Sequence, residues 1–303
     1  MSSAVSRTGP PSIVRRACID IGSNTTRLLV ADCEGERLVE VHQEREFTHV
    51  RRALTPEGEI GAVKIAEVVA VVGALLRRAY DLGAADICGV ATAAVRQATN
   101  RDALVAAVRA SCGLEVVVLS AEDEARLAFS GAARTLGYVP AGPLGVVDVG
   151  GGSSELVVGT VPDEVSWSAS FEVGSGQLAD ECLHSDPPSA KEIRRARRLI
   201  SEALDGVRPP HAACVVAVGG GATSLRRIAG PRVDAGAVER VLALLAAERS
   251  TEVAERFALN PDRVRLLPAG LLILEAASAR FGAPLEIAQG GLREGLLLES
   301  GRE

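Results

Sequence analysis

No CxxC pair occurs among the six cysteines of this 303-residue chain, Cys18, Cys33, Cys88, Cys112, Cys182 and Cys214. That excludes the usual zinc-ribbon and dithiol patterns. The cysteines read as small core residues in a reducing compartment. The four histidines are equally scattered, with no HxxxH, which argues against a histidine-ligated metal. No apolar run reaches the ~18 residues of a membrane-spanning helix. The opening MSSAVSRTGPPSIVRRA has no apolar stretch of signal-peptide length. A cytoplasmic protein with a loose first dozen residues and no membrane partner is expected. A net charge of −6 argues against nucleic acid as a partner, while leaving room for a local positive cleft. Lysine is nearly missing: Lys64 and Lys191 are the only two. Arginine carries the remaining positive charge and suits bidentate phosphate contacts, although codon usage in an Ala- and Arg-rich chain accounts for the bias without function.

What is present is length and pattern. A chain of 303 residues is too long for one ordinary core, so two domains are expected. ACIDI reads as a strand, and TRLLVAD and the alternating RLVEVHQERE extend it into an antiparallel meander. IGAVKIAEVVAVVGALLRRAYDLGA has helical period, and DICGVAT is a short buried strand. NRDALVAAVRASCG is a helix with Asn100 as N-cap and Gly113 as its stop. LEVVVLS is a strand, and SAEDEARLAFSGAARTLG a helix capped by Ser120, with Glu122, Asp123 and Glu124 in its first turn. The second half begins the same way. LGVVDVG, SSELVVGT and EVSWSASFEV are strands, followed by two helices parted by the breaker SDPPS. CVVAVGGGATSLRRIAG is strand, turn and helix. Three helices follow, the last read from AGLLILEAASARFG, then the strand LEIAQGG and a closing helix LREGLLLES.

Two stretches align without a gap: DIGSNTTRLLV from Asp20 and DVGGGSSELVV from Asp148. Each is followed by another strand and then helices, which implies two domains of like topology facing across a cleft. Glycine lets a turn bring its backbone close to a ligand, and successive N–H groups in such a turn form an anion-binding concavity. Serine and threonine hydroxyls add donors. An aspartate at the strand end can hold a hard cation that bridges phosphate oxygens. With the third Gly-rich turn, VGGGATS from Val218, the pattern points to a ligand with several phosphate groups. The residue after the small polar cluster differs between the copies. Arg27, taken alone, reads as a strand residue facing solvent. Glu155 shares the Asp148 hairpin, where two carboxylates can share a divalent cation or orient a water.

With these residues in hand, the chain resembles the exopolyphosphatase/guanosine pentaphosphate phosphatase family of the actin–sugar kinase–chaperone ATPase superfamily. The motifs that carry the resemblance are DIGSNTTRLLV, ATAAVRQATN, LSAEDEARLAFSGA, DVGGGSSELVV, VGGGATSL and GGLREGLL, spread from Cys18 to Glu299. ATAAVRQATN and the EAR segment set it apart from the kinases and actins of that superfamily. The resemblance implies an α/β fold of two actin-like (ribonuclease H-like) domains with a cleft between them. The expected boundaries are 14–121 plus the segment 285–303 for the first domain and 122–284 for the second. It implies hydrolysis of a terminal phosphoanhydride of inorganic polyphosphate. The alternatives are a pppGpp 5′-phosphatase or a catalytically silent alarmone-binding regulator.

Carried over residue by residue, the resemblance makes Glu124 the catalytic glutamate and Arg96 its partner at the terminal phosphate, with Arg293 a second phosphate-gripping arginine. Asp148 and Glu155, with Asp20, become the metal- and water-organising carboxylates for Mg²⁺ or Mn²⁺, and K⁺ is a candidate accessory ion. The candidate phosphate contacts are Gly22, Ser23, Asn24 and Thr25 in the first turn, and Thr92. Gly151, Gly152 and Ser153 in the second turn and Gly220 and Gly221 in the third complete them. A homodimer is expected. Longer relatives carry an extra helical C-terminal region that this sequence does not show, which points to short chains as substrates. KEIRRARR, Lys191 to Arg198, reads as a solvated helix face, with a polyanion track as the competing reading.

Overall fold

A computed structural model describes residues 13–300; the first dozen residues, expected to be loose, lie outside the described part. The first half opens with the antiparallel strands β1 (Val14–Ile21), β2 (Thr25–Glu34) and β3 (Arg37–Phe47). Then come α1 (Ala62–Asp81), β4 (Asp86–Ala91), the short α2 (Ala93–Gln97), α3 (Arg101–Cys112) and β5 (Val116–Val118). Helix α4 (Ala121–Thr135) leads into β6 (Leu144–Val149), β7 (Ser154–Thr160), β8 (Glu164–Phe171), α5 (Ser175–Cys182) and α6 (Ala190–Ala203). The remainder is β9 (Cys214–Val218), α7 (Gly219–Ala229), β10 (Arg232–Val233), α8 (Ala235–Ala247), α9 (Ser250–Phe257), α10 (Pro261–Phe281), β11 (Leu285–Ile287) and α11 (Leu292–Glu299).

Two sheets result, ordered β3-β2-β1-β4-β5 and β10-β11-β9-β6-β7-β8. Their cores repeat each other. β1 is antiparallel to β2 and parallel to β4, as β6 is to β7 and β9. Period-2 alternation decides what each face buries. On the first sheet Ile19, Ile21, Leu28 and Val30 pack under α1 and α3, while Cys18, Leu29 and Ala31 turn the other way, toward Leu127 and Leu297. On the second, Val147, Val149 and Leu156 face the large cluster built with α5, α6 and α8–α10, while Val146 and Val157 meet Phe129 and Ala132 of α4. Helices α11 and α4 therefore lie between the sheets, one on each inner face. They cross at glycines: a Cβ on Gly131 would sit 1.9 Å from the carbonyl oxygen of Gly291. Any side chain there would push the inner layers apart.

Two expectations are corrected. The segment 285–303, expected whole in the first domain, divides: β11 pairs with β9 and β10 in the second sheet, and only α11 packs on the first. A three-residue parallel pairing leaves no local mark in the sequence. The last long helix starts at Pro261 rather than near Ala269, because Pro268 lies inside it with Leu267 and Ala269 buried on either side. Asn100 stands at the start of α3 as expected, yet its amide caps nothing. It accepts from the Ile60 N–H (2.8 Å) and donates to the Ile60 carbonyl (2.9 Å), tying down the loop before α1. Ser120 does cap α4, accepting from the Asp123 N–H at 3.0 Å.

Candidate active site

Four chain reversals meet at the carboxyl ends of the parallel strands: the β1–β2 turn, the β4–α2 junction, the β6–β7 turn and the β9–α7 junction. Ligands of open α/β sheets settle at such ends. Both hairpin turns close on the same bond, Gly22 N–H to the Thr25 carbonyl and Gly150 N–H to the Ser153 carbonyl, each 3.0 Å. The turns also touch each other. A Cβ on Gly152 would lie 2.3 Å from Ser23 Oγ, so only glycine permits this approach of the two domains. Ser23 Oγ accepts from the Ala94 N–H at 3.1 Å, and Asn24 Oδ1 is 2.6 Å from His49 Nδ1. These bonds use the acceptor oxygens of Ser23 and Asn24, leaving the Ser23 hydroxyl proton and the Asn24 NH2 group as donors for a ligand, beside the backbone N–H groups.

Between the turns lies a cavity of about 660 Å³. Asp20, Gly22, Ser23, Asn24, Thr25, Thr92, Glu124, Asp148, Gly151, Gly152, Ser153, Glu155, Gly220, Gly221 and Arg293 all line it. Arg96 stands behind it. Its Nη1 donates to Glu124 Oε2 at 2.8 Å and to the Leu119 carbonyl at 2.9 Å, so it grips the glutamate, where a direct grip on the terminal phosphate was expected. None of the α6 side chains lines the cavity.

The carboxylates are buried and crowded. Burial pushes Glu124 up to about 7, with Asp20 and Asp148 adding to it and Arg96 opposing. Burial raises Asp148 to about 6, opposed chiefly by Arg27. Glu155 is held well above its ordinary value by burial and by Glu124 and Asp148, although Ser170 Oγ donates to its Oε1 at 3.0 Å. Burial raises Asp20 as well, and its Oδ1 is sealed from solvent without a hydrogen-bond partner. Among the described residues, no three His, Cys, Asp or Glu side chains converge as a metal-ligand set. Asp20, Asp148 and Glu155 share the cavity without forming one.

Arginines fill the neighbouring wall. Arg27, read from the sequence as solvent-facing, lines the cavity and donates from Nε to Thr25 Oγ1 at 2.9 Å. Burial and Arg293 lower its guanidinium. Arg45, Arg263 and Glu294 also line the cavity and escaped the sequence reading. Burial, with Arg27 and then Arg227, lowers Arg263 to about 10; its Nη2 donates to the Gly220 carbonyl. Arg293 reaches the Leu28 carbonyl (3.5 Å) and Gln43 Oε1 (3.4 Å). Among the described residues none of Arg27, Arg45, Arg263 and Arg293 forms an ion pair with a carboxylate. Glu294 adjoins Arg293 in the GGLREGLL motif and could have been found there. Arg263 sits in no motif.

The repeated sheet core, the paired Gly turns and the cleft between two like domains define the actin-like ATPase fold class. A crystal structure of the Ppx/GppA family member of Aquifex aeolicus superposes with a TM-score of 0.79 at 27% identity, covering 95% of this chain and 98% of that one. An exopolyphosphatase structure from Cytophaga hutchinsonii gives a TM-score of 0.82 at 19% identity, a likeness of fold. Exopolyphosphatase 1 of Mycobacterium tuberculosis is 29% identical over 303 residues, 94% of this chain and 88% of that protein. Exopolyphosphatase 2 of the same organism is 36% identical over 204 residues, 64% of this chain and 63% of that protein. The Ppx/GppA phosphatase family profile matches residues 29–302. The chain belongs to that family and is a hydrolase of its phosphatase class. No helix among the described residues is long and apolar enough to cross a membrane.

Proposed function

We propose that the protein is an exopolyphosphatase that releases the terminal phosphate of inorganic polyphosphate. One observation carries this reading: a buried glutamate raised to about 7 and held by an arginine faces a cavity whose other wall is four arginines without carboxylate partners. Glu124 is the proton acceptor for the attacking water. Its raised pKa suits a base near neutral pH, where a general base is typically worth ~10²–10⁴-fold in rate. Arg96 fixes the orientation of Glu124 from behind. Arg27 and Arg293 neutralise phosphate charge beside the carboxylates, and the backbone of the three glycine turns cradles the oxygens. A divalent cation of the Mg²⁺ kind typically takes one or two carboxylates and completes its shell with water and phosphate oxygens, so a pair from Asp148, Glu155 and Asp20, whose Oδ1 has no partner, would hold it without all three converging. When bound it supplies neutralising charge at the reacting phosphate. The cavity of about 660 Å³ and the placement of α6 outside it favour short chains. Phosphate release from short polyphosphate, long polyphosphate and pppGpp, measured in parallel with and without Mg²⁺, tests the reading. Mg²⁺-dependent release, fastest from short polyphosphate, is expected. Release from pppGpp alone would replace it with the nucleotide reading.

A further inference from the structure

We propose that Arg45 is a substrate-binding residue that holds an inner phosphate of the chain, inside the one being released. The proposal rests on the polyphosphate reading of the same cavity. Its geometry comes from the sheet. Asp20 on β1 is directly paired with Arg27 on β2, and Arg27 with Arg45 on β3. Directly paired residues point to one face, so the three side chains form a row on the inner face of the first sheet. Neighbouring strands lie about 4.8 Å apart, which places the Arg45 backbone about 10 Å from that of Asp20. The chemistry sits at the Asp20 end of the row, beside Glu124 and Asp148. Arg45 stands at the far end, beyond reach of a single phosphate lodged there.

Among the described residues, Arg45 has no side-chain hydrogen-bond or ion-pair partner. Its Nε is buried without a hydrogen-bond partner. Its charged neighbours are Arg27, Arg263 and Arg293, and burial together with these three lowers its guanidinium to about 8. A desolvated cation among cations is unfavourable unless an anion completes it. The complement of a row of arginines leading away from a hydrolytic centre is an anion with several charges in line. That describes an oligophosphate, and a single inorganic phosphate does not fit it.

The test is Arg45→Met, which keeps the aliphatic stem and removes the fork. Binding is measured by calorimetry in the Glu124→Gln protein, so that turnover does not intervene, with pyrophosphate, tripolyphosphate and a long polyphosphate as ligands. Arg45→Met is expected to weaken the two longer ligands by about 10- to 100-fold, the range for a hydrogen bond to a charged group, and pyrophosphate by clearly less. In otherwise wild-type protein the loss should fall in KM rather than kcat. The melting temperature of the ligand-free protein should rise, because one of four repelling cations is gone. Arg45→Lys, which keeps charge without the fork, should bind with intermediate affinity. Equal weakening at every chain length would overturn the proposal. So would unchanged binding with a lowered melting temperature, the signature of a purely structural arginine. If the wild type released no phosphate from polyphosphate, the catalytic reading would fall, while the binding arm would still decide the role of Arg45.

Discussion

Asp20, Arg27 and Arg45 stand side by side across β1, β2 and β3; Asp148, Glu155 and Ser170 stand in the same order across β6, β7 and β8. The backbones match down to the 3.0 Å bond that closes each turn. The side chains do not. One row is an aspartate followed by two cations, the other an aspartate followed by a carboxylate and a hydroxyl that donates to it. A symmetric cleft would present the same charge from both sides. On the function proposed above, this one would hold an elongated anion against the arginines of the first sheet, with raised carboxylates on both sides: Asp20 on the first sheet, Asp148 and Glu155 on the second. The two copies share their turns and differ in the residue that follows each, Arg27 in the first and Glu155 in the second.

The division can be broken most severely at Glu124. Glu124→Gln keeps volume and a hydrogen-bonding group, and is expected to lower kcat by about 10²–10⁴-fold with KM unchanged or lower. Steady-state kinetics and a melting curve on one sample decide it: a variant slightly less stable but fully active would remove Glu124 from the chemistry. Next in size is the cation. Excess chelator is expected to cost about 10²-fold in kcat or more, since charge neutralisation by a metal is worth several kcal/mol. Polyphosphate should still bind to the arginine wall, as calorimetry with and without chelator will show. Full activity in chelator would mean that the arginines alone suffice.

A smaller effect lies in pH. The free-enzyme kcat/KM should rise with pH through about 7 as Glu124 loses its proton. Stability should run the other way. A carboxyl raised in the folded state contributes stability that is fully present below its ordinary value near 4.5 and is lost as pH rises through about 7. The melting temperature of the ligand-free protein should fall over that interval, and less steeply in Glu124→Gln. The smallest effect is expected at α6. Removing Arg194, Arg195 and Arg198 together should leave the ratio of long-chain to short-chain KM unaltered at low salt, because none of them lines the cavity. A rise confined to long chains would extend the cationic surface to the second domain.

Much of this could be read in advance, and the failures have physical reasons. The two Asp-Gly turns were legible because a tight hairpin between apolar strands needs glycine at fixed positions. Glu124 stood in a capped helix start inside a specific motif. Arg27 is hidden in the sequence because alternation along a strand shows that two faces differ, without showing which one a second domain will cover. Its face became interior only when α4 and α11 packed between the sheets. Arg45 follows from Arg27 once the β2–β3 register is known, and the break in that register between Val30 and Ala31 hides it from simple counting. Arg263 is brought in by α10, whose start is obscured by Pro268.

The division of labour between the two rows is tested most directly by one paired measurement: kcat and KM of Arg27→Met and Glu155→Gln on the same short polyphosphate, at saturating Mg²⁺. Arg27→Met should lose mainly in KM, by about 10- to 100-fold as for a charged hydrogen bond. Glu155→Gln should lose mainly in kcat, with KM little changed. If both variants moved the same parameter, the two rows would be doing the same work, and the account of a binding sheet facing a reacting sheet would be wrong.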